Sequence, residues 1–355
     1  MIEMEKVSFV DILKDYLDYS KISNKEFAER INVTPKHLIE ILSKKIKLSS
    51  DLIESIARVT SIPIEYIYKM ENETNFSTQI REYVEEYDIT EKQYLKKFNV
   101  KYLEENNWIN FTDIKDSTEN IKDILRFLRV SNPEGLNSIK VNALYKSKND
   151  KPEQLLLWLE KCYKESLKQE IAKYKKENIE NIVLSINEFA LRNEFNEENL
   201  IKLFNDNGIN LVIQEDIPGS KIRGAFKVNK DTPAIYITYK HRRIADIYFT
   251  LLHELAHCKT DFNKAKGMNL VSYEEEIDNE ENLDNIEIRA DNKAYDWMVN
   301  DKAYKDICDK VKQGKYDIKD ETRIPKSFIV YRLAKDKLLS YSSKMYQEYN
   351  IILND

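Results

Sequence analysis

Residues 245–262 read ADIYFTLLHELAHCKTDF. Two of the four histidines in the chain, His253 and His257, fall here four residues apart, with Glu254 directly after the first, in an H-E-x-x-H pattern. Around them Ala245, Tyr248, Phe249, Leu252, Leu255 and Ala256 recur with the period of an amphipathic helix. On a helix, residues i and i+4 stack on one face, so both imidazoles can meet one zinc ion at about 2.0–2.1 Å. Glu254 lies about 100° round the helix from His253. There it can serve as general base towards a water on the ion without ligating it, zinc bringing that water towards ionisation near neutral pH. The competing reading is two core histidines satisfied by hydrogen bonds. It leaves the glutamate without a reason, because a buried, unpaired carboxylate is costly.

A catalytic zinc takes three protein ligands and keeps one position open. His241 precedes the helix by a turn or more and reads as solvent-facing. A downstream glutamate is the natural third ligand, and Glu274, Glu275, Glu276, Glu280, Glu281 and Glu287 offer themselves. Most belong to an acidic run from Tyr273 to Ile286 that reads as a solvated loop. Glu287 differs, since it opens EIRADNKAYDWM (287–298), where Ala290, Ala294, Trp297 and Met298 keep helical spacing. Glu287 and Asp291 share a face of that helix. The first could ligate the ion and the second could orient a histidine. The alternative is an ordinary exposed carboxylate pair.

Upstream, residues 208–240 change period. Leu211 and Ile213, then Ile222, Ala225, Phe226 and Val228, then Ile235, Tyr236 and Ile237 read as three short strands, with turns at Gly219 and at Asp231-Thr232-Pro233. If a peptide substrate lies along an edge strand, 222–229 or 234–240 could receive it, with Gly224 permitting close approach. Tyr236 and Tyr239 are candidate oxyanion donors among 22 tyrosines. The rest reads as helical, with breaks near Asn132-Pro133 and Asp150-Lys151-Pro152 and a helical tail over 324–350. The expected fold is mainly α with a small β-sheet, an α+β class. Its expected parts are 1–72, a polar connecting region 73–184, a core 185–310 and a C-terminal helical extension 311–355.

The first part has crisp punctuation. Ser23-Asn24-Lys25-Glu26 reads as a capping box opening a helix with Phe27, Ala28 and Ile31 inward. Asn32-Val33 breaks it. Thr34 then caps a second helix with Pro35 at its first position and Leu38, Ile41 and Leu42 as its buried stripe. Ser50-Asp51 starts a third, with Leu52, Ile53, Ile56 and Ala57 inward. Two helices joined by about four residues, the second with a basic outer face, make a helix-turn-helix pattern. From Lys36 to Lys47 four lysines face one glutamate, Glu40. The residues expected at DNA are Asn24, Lys36, His37, Glu40, Lys44, Lys45 and Lys47. The lysines would sit on phosphates, Lys36 and His37 would reach base edges, and Glu40 could accept from a cytosine amino group. A capped bundle with a solvated lysine face is the plainer alternative.

Composition bounds the rest. The 355 residues are 42% hydrophobic and 33% charged, with a net charge of −6. That is enough apolar material for sizeable cores and suggests more than one domain. The mild negative charge opposes non-specific coating of nucleic acid but leaves room for a local basic patch. The six glycines show no spacing that would cradle a phosphate. No C-x-x-C occurs, and Cys162, Cys258 and Cys308 are odd in number and far apart. Reduced thiols in a cytoplasm are therefore expected, not disulfides or a cysteine-rich zinc site. The start, MIEMEKVSFVDILKDYL, lacks the apolar core and cleavage site of a secretory signal, and no run of about 18 apolar residues predicts a membrane span.

Three stretches carry resemblances. KEFAERINVTPKHLIEILSKKIKLSSDLIESIARVTSIPIEYIY (25–68) resembles the Xre/Cro-type helix-turn-helix, especially its HigA-like antitoxin branch. ADIYFTLLHELAHCKTDF with EIRADNKAYDWMV (287–299) resembles the ImmA/IrrE family of zinc metallopeptidases, in which a small twisted sheet precedes an H-E-x-x-H helix and an E-x-x-A-[ND] helix. That likeness covers roughly 185–300. Ala256 stands where the family usually has glycine, and the acidic run between the two motifs looks like an insertion. DILRFLRV (123–130), LLLWLEK (155–161) and IPKSFIVYRLAKDKLL (324–339) look like the connecting and terminal parts of regulators that fuse these two modules.

The resemblances imply a bacterial or phage transcriptional regulator that binds operator DNA. They imply a Zn2+-dependent endopeptidase that cleaves a partner protein, such as a repressor or toxin–antitoxin component. A homodimer fits the helix-turn-helix type, although no heptad pattern shows one. The alternative is an antitoxin-type repressor whose metal domain senses or binds without proteolysis. The intact Glu254 speaks against it, since a purely structural metal has no need of that carboxylate.

Overall fold

The computed structural model describes residues 7–143, 151–238, 243–266, 269–273, 281–313 and 323–353. Helices dominate, with one small mixed sheet, so the expected α+β class holds. The chain divides into two compact units.

The first unit comprises Met1–Tyr94, Asp113–Lys122 and Ser131–Pro133. Its early helices are α1 (Phe9–Ser20), α2 (Asn24–Arg30), α3 (Pro35–Leu42), α4 (Ser50–Thr60) and α5 (Ile64–Glu86). The first four open on Ser8, Ser23, Thr34 and Ser49, whose side-chain oxygens accept first-turn backbone N–H groups. Ser23 accepts from Glu26 N at 3.2 Å, but the Glu26 carboxylate pairs with Arg30 at 2.6 Å, so only the serine half of the expected box forms. Asn32 takes φ 58° and turns the chain between α2 and α3. Phe9, Leu13, Phe27, Leu38, Ile41, Ile56 and Ile67 are fully buried in one cluster, each contributing about 1.5–3 kcal/mol relative to exposure. The segment that follows is shared between the units: α6 (Glu91–Lys96) and α8 (Ser117–Phe127) are divided between them, and α7 (Val100–Glu105) and all but the first residue of α9 (Pro133–Ala143) belong to the second.

The second unit comprises Leu95–Thr112, Asp123–Val130 and Glu134–Asp355. It carries α10 (Pro152–Ser166), α11 (Ile179–Leu191), α12 (Glu197–Asp206), β1 (Asn210–Ile213), β2 (Ile222–Asn229), β3 (Thr232–Ile237) and α13 (Ile244–Thr260). After these come α14 (Phe262–Ala265), β4 (Leu270–Tyr273), α15 (Glu281–Met298), α16 (Asp301–Lys312), α17 (Lys326–Lys335) and α18 (Lys344–Tyr349). The strand order is β1-β3-β2-β4, with β1 parallel to β3 and the other pairs antiparallel.

Several expectations need correcting here. β4 is an additional strand, four residues long and too short to show an alternation. The turn before β3 is tighter than expected: Lys230 takes φ 57°, and Thr232 and Pro233 already pair with β2. Because β2 and β3 are the two inner strands, neither offers a full free edge to a substrate; β1 and β4 are the edges. The acidic run is not all loop either, since α15 begins at Glu281 and carries Glu287 in its second turn. Residues 274–280, 239–242 and hence Glu274, Glu275, Glu276, Glu280, Tyr239 and His241 lie outside the described residues.

α13 is the axis of this unit. It is buried on all sides from Ile244 to Cys258, not along one stripe as an amphipathic helix would be. One side packs on the sheet through Phe226, Val228, Ile235 and Ile237, and α11, α15 and α17 close round the remainder. Tyr236 points the other way by strand alternation, edge-on to Trp158 of α10. It accepts from Asn229 and stands on the face of the sheet away from α13, which removes it as an oxyanion donor. The tail ties down the start of α13. Asn350, fully buried, accepts from Ala245 N at 2.9 Å and donates to Asp246 at 3.0 Å.

Candidate metal centre

His253 and His257 sit on the α13 face that meets α15, and Glu287 of α15 reaches back to them. The two Nε2 atoms stand 3.0 Å apart. Glu287 Oε2 is 3.1 Å from His253 Nε2, and its Oε1 is 3.5 Å from His257 Nε2. Ligand atoms held at 2.0–2.1 Å round one tetrahedral ion stand about 3.3 Å from one another. The three side chains therefore already have the spacing of a ligand set, and together they form a group that could hold a metal ion.

The outer nitrogens explain why this needs a cation. His253 Nδ1 is 2.7 Å from Asp291 Oδ1, and His257 Nδ1 is 3.2 Å from Asp261 Oδ2. A carboxylate only accepts, so each Nδ1 carries the proton and, in the neutral ring, each Nε2 presents a bare lone pair. Two such lone pairs and a carboxylate converge on one point. Only a proton or a metal ion relieves that arrangement, and the donor set of two imidazoles and one carboxylate suits a divalent ion of borderline softness.

The electrostatics agree. Burial opposes charge on His253, but hydrogen bonds to Asp291 and Glu287 outweigh it and lift its pKa to about 10. His257 is raised as well, burial being overcome by Asp261 and Glu287. Burial would lift Glu287, yet the two imidazoles hold it well below the usual carboxylate range. Asp261 is likewise lowered, with His257 and Thr260 outweighing its burial.

Asp261 is the functional candidate that sequence reading overlooked. It lies one turn beyond His257 and is fully engaged by His257, by Thr260 Oγ1 at 2.7 Å and by Arg289 of α15 at 2.5 Å. The i+4 spacing from His257 was the available signal. Asp291 lies against the outer nitrogen of His253.

Glu254 is fully buried. Ser272 of β4 donates to its Oε1, while Oε2 has no hydrogen-bond partner among the described residues. Burial raises its pKa above the ordinary value, against the pull of both histidines. Gly224 is what admits it: a Cβ there would lie 2.6 Å from Glu254 Oε1. The close approach at Gly224 is thus that of the glutamate, not of a substrate. Ser272 and Gly224 are register partners, so β2 and β4 jointly shape the slot.

In the first unit the basic face is less free than its sequence suggests. Lys44 Nζ is 2.9 Å from Asp11 of α1, a partner 33 residues away that local reading could not supply. Lys36 is 4.0 Å from Glu40, one turn along the same helix. Asn24, Lys45 and Lys47 are exposed, and His37 is half-buried.

Comparison with protein-family models, with curated proteins and with solved structures found no match to this chain.

Proposed function

We propose that the second unit is a zinc-dependent endopeptidase and the first a DNA-binding head, in one regulatory protein. The observation that carries the peptidase reading is the pair of imidazoles whose Nδ1 atoms are held by Asp291 and Asp261 while both Nε2 atoms and Glu287 converge. His253, His257 and Glu287 would hold the ion, and Asp291 and Asp261 would fix ring orientation and tautomer. Zinc, when bound, supplies a Lewis acid that polarises a scissile carbonyl and acidifies water. Glu254 takes the proton from the attacking water on its unpartnered Oε2 and returns it to the leaving nitrogen, while Ser272 anchors Oε1. A substrate strand would add to the edge strand β4, which carries Ser272 beside that carboxylate. The substrate class is a partner regulatory protein.

A second reading, a metal-binding repressor that does not cleave, has its own support in the complete burial of Glu254. One experiment separates the two. The purified chain should hold close to one zinc, which His253→Ala loses and Glu254→Gln keeps. Co-expression with the product of a neighbouring gene should show cleavage of that product by wild type and not by Glu254→Gln. If both proteins leave it intact, or both cleave it, the peptidase reading fails. For the head, affinity for DNA beside its own gene should fall steeply with salt, and Lys45→Ala or Lys47→Ala should each flatten the slope by about one. Lys44→Ala should act less, since Asp11 already neutralises it.

A further inference from the structure

β2 contains a bulge. Ile222 pairs with Tyr273 and Gly224 with Ser272, so Arg223 is an extra residue with no counterpart on β4. Bulges re-aim side chains, and this one turns Arg223 towards α13. Its guanidinium stacks over Phe249 at 5.1 Å and reaches Thr250 Oγ1 only at 3.5 Å. Phe249 and Thr250 lie one turn before His253 on α13, and the Phe249 ring is 6.1 Å from the His253 ring. Arg223 is therefore next to the metal centre, on the upstream side.

The guanidinium is partnered by hydroxyls, Thr250 and Tyr331, and by no carboxylate among the described residues. Asp246 and Asp291 act on Arg223 through space, but Asp246 accepts from Asn350 at 3.0 Å and Asp291 from His253 at 2.7 Å. Neither forms an ion pair with the guanidinium among the described residues. Beside it stands Tyr331 of α17, also against Phe249 at 5.3 Å. The Tyr331 hydroxyl is fully buried; its oxygen faces the Arg223 guanidinium closely enough to act on it as an acceptor, while its own proton meets no acceptor among the described residues. The Tyr331 proton and the guanidinium N–H groups not engaged by Tyr331 and Thr250 are thus neighbouring donors with no carboxylate among the described residues. An orphaned buried hydroxyl costs about 1–3 kcal/mol, so a missing partner is the economical explanation. The group that takes donors only, matches the planar fork and accepts a third hydrogen bond is an ionised carboxylate.

We infer that Arg223 and Tyr331 form a carboxylate-binding subsite beside the metal centre, which selects a peptide by its C-terminal carboxylate or by an acidic side chain. The subsite rests on the peptidase reading for the nature of its ligand, a peptide, but it is a binding site and does not need turnover.

The test measures binding to the full-length, zinc-loaded Glu254→Gln protein by calorimetry. Three probes are compared: acetyl-Ala-Phe-Ala with a free carboxylate, the same peptide as its amide, and acetyl-Ala-Phe-Glu amide. One of the two carboxylate peptides should bind at least about tenfold more tightly than the neutral amide. Preference for the free acid identifies a chain terminus as the ligand, and preference for the glutamate peptide identifies a side chain. Arg223→Gln should abolish the preference, and Tyr331→Phe, which removes one oxygen, should reduce it several-fold with zinc content unchanged. Equal binding of all three peptides, no binding of any, or a preference that survives both substitutions overturns the subsite. Cleavage by wild type without any carboxylate preference would sink the subsite alone. A preference without cleavage would leave the subsite standing and sink the peptidase reading.

Discussion

Gly224 and Glu254 show how tightly one residue type can be dictated by another. The backbone of Gly224 is in the strand conformation, so its glycine is not needed for a turn. It is needed because the Glu254 carboxylate occupies the space a Cβ would fill. Gly224→Ala is expected to displace that carboxylate from Ser272 while leaving both imidazoles in place. Cleavage should fall at least about tenfold and bound zinc should stay near one per chain. Zinc analysis beside a cleavage assay checks this, and a joint loss of zinc and cleavage would mean that the glycine supports the whole centre. The residues grouped by fixed local spacing, His253 with Glu254 and His257, and Glu287 with Asp291, were legible in the sequence because one helical turn fixes their geometry. Ser272, Arg223 and Tyr331 were not, since only the register of β2 with β4 and the packing of α17 bring them to α13.

At the scale of elements, helix starts were readable and helix partners were not. Ser23 and Thr34 announce α2 and α3 through local hydrogen bonds. The Asp11–Lys44 pair, which joins α1 to the residue just after α3, depends on the tertiary fold. Lys44, then Ser8 of its own capping box, hold the Asp11 carboxylate well below the usual range. Its folded pKa therefore lies below its unfolded one. The stabilisation is fully present above the unfolded value of about 3.9 and is lost as pH falls through the folded value. Amide protection factors, exchange corrected for its intrinsic pH dependence, are expected to fall in α1 and α3 below about pH 4, and Asp11→Asn should blunt that acid-side change while slightly lowering protection at neutral pH. Identical pH profiles for the two proteins would remove the pair from the stability of this unit. The small sheet was legible as three strands from their alternation, but strand order was not, and order is what excludes β2 and β3 as docking edges.

At the scale of the whole molecule, the centre links two helices that are distant in sequence. His253 and His257 on α13 meet Glu287 on α15, Asp291 of α15 backs His253, and Arg289 of α15 holds Asp261. An ion that binds the folded state only stabilises it by mass action, about 4 kcal/mol at a thousandfold excess over its Kd. Chelation should therefore lower the thermal midpoint of the second unit and leave the melting of the first unchanged. Calorimetry before and after treatment with a chelator, then after zinc is restored, checks both halves. An unchanged thermogram would mean that the three ligands do not hold an ion in solution.

The bulge at Arg223 has a consequence for how this protein can change over time. Strand alternation ties every other position of β2 to the core or to the opposite face, so most replacements there disturb the scaffold. The supernumerary residue escapes that bookkeeping. A replacement at position 223 leaves the β2–β4 pairing untouched and loses the contacts with Phe249, Thr250 and Tyr331, so the subsite inferred above can drift in its ligand while the sheet stays put.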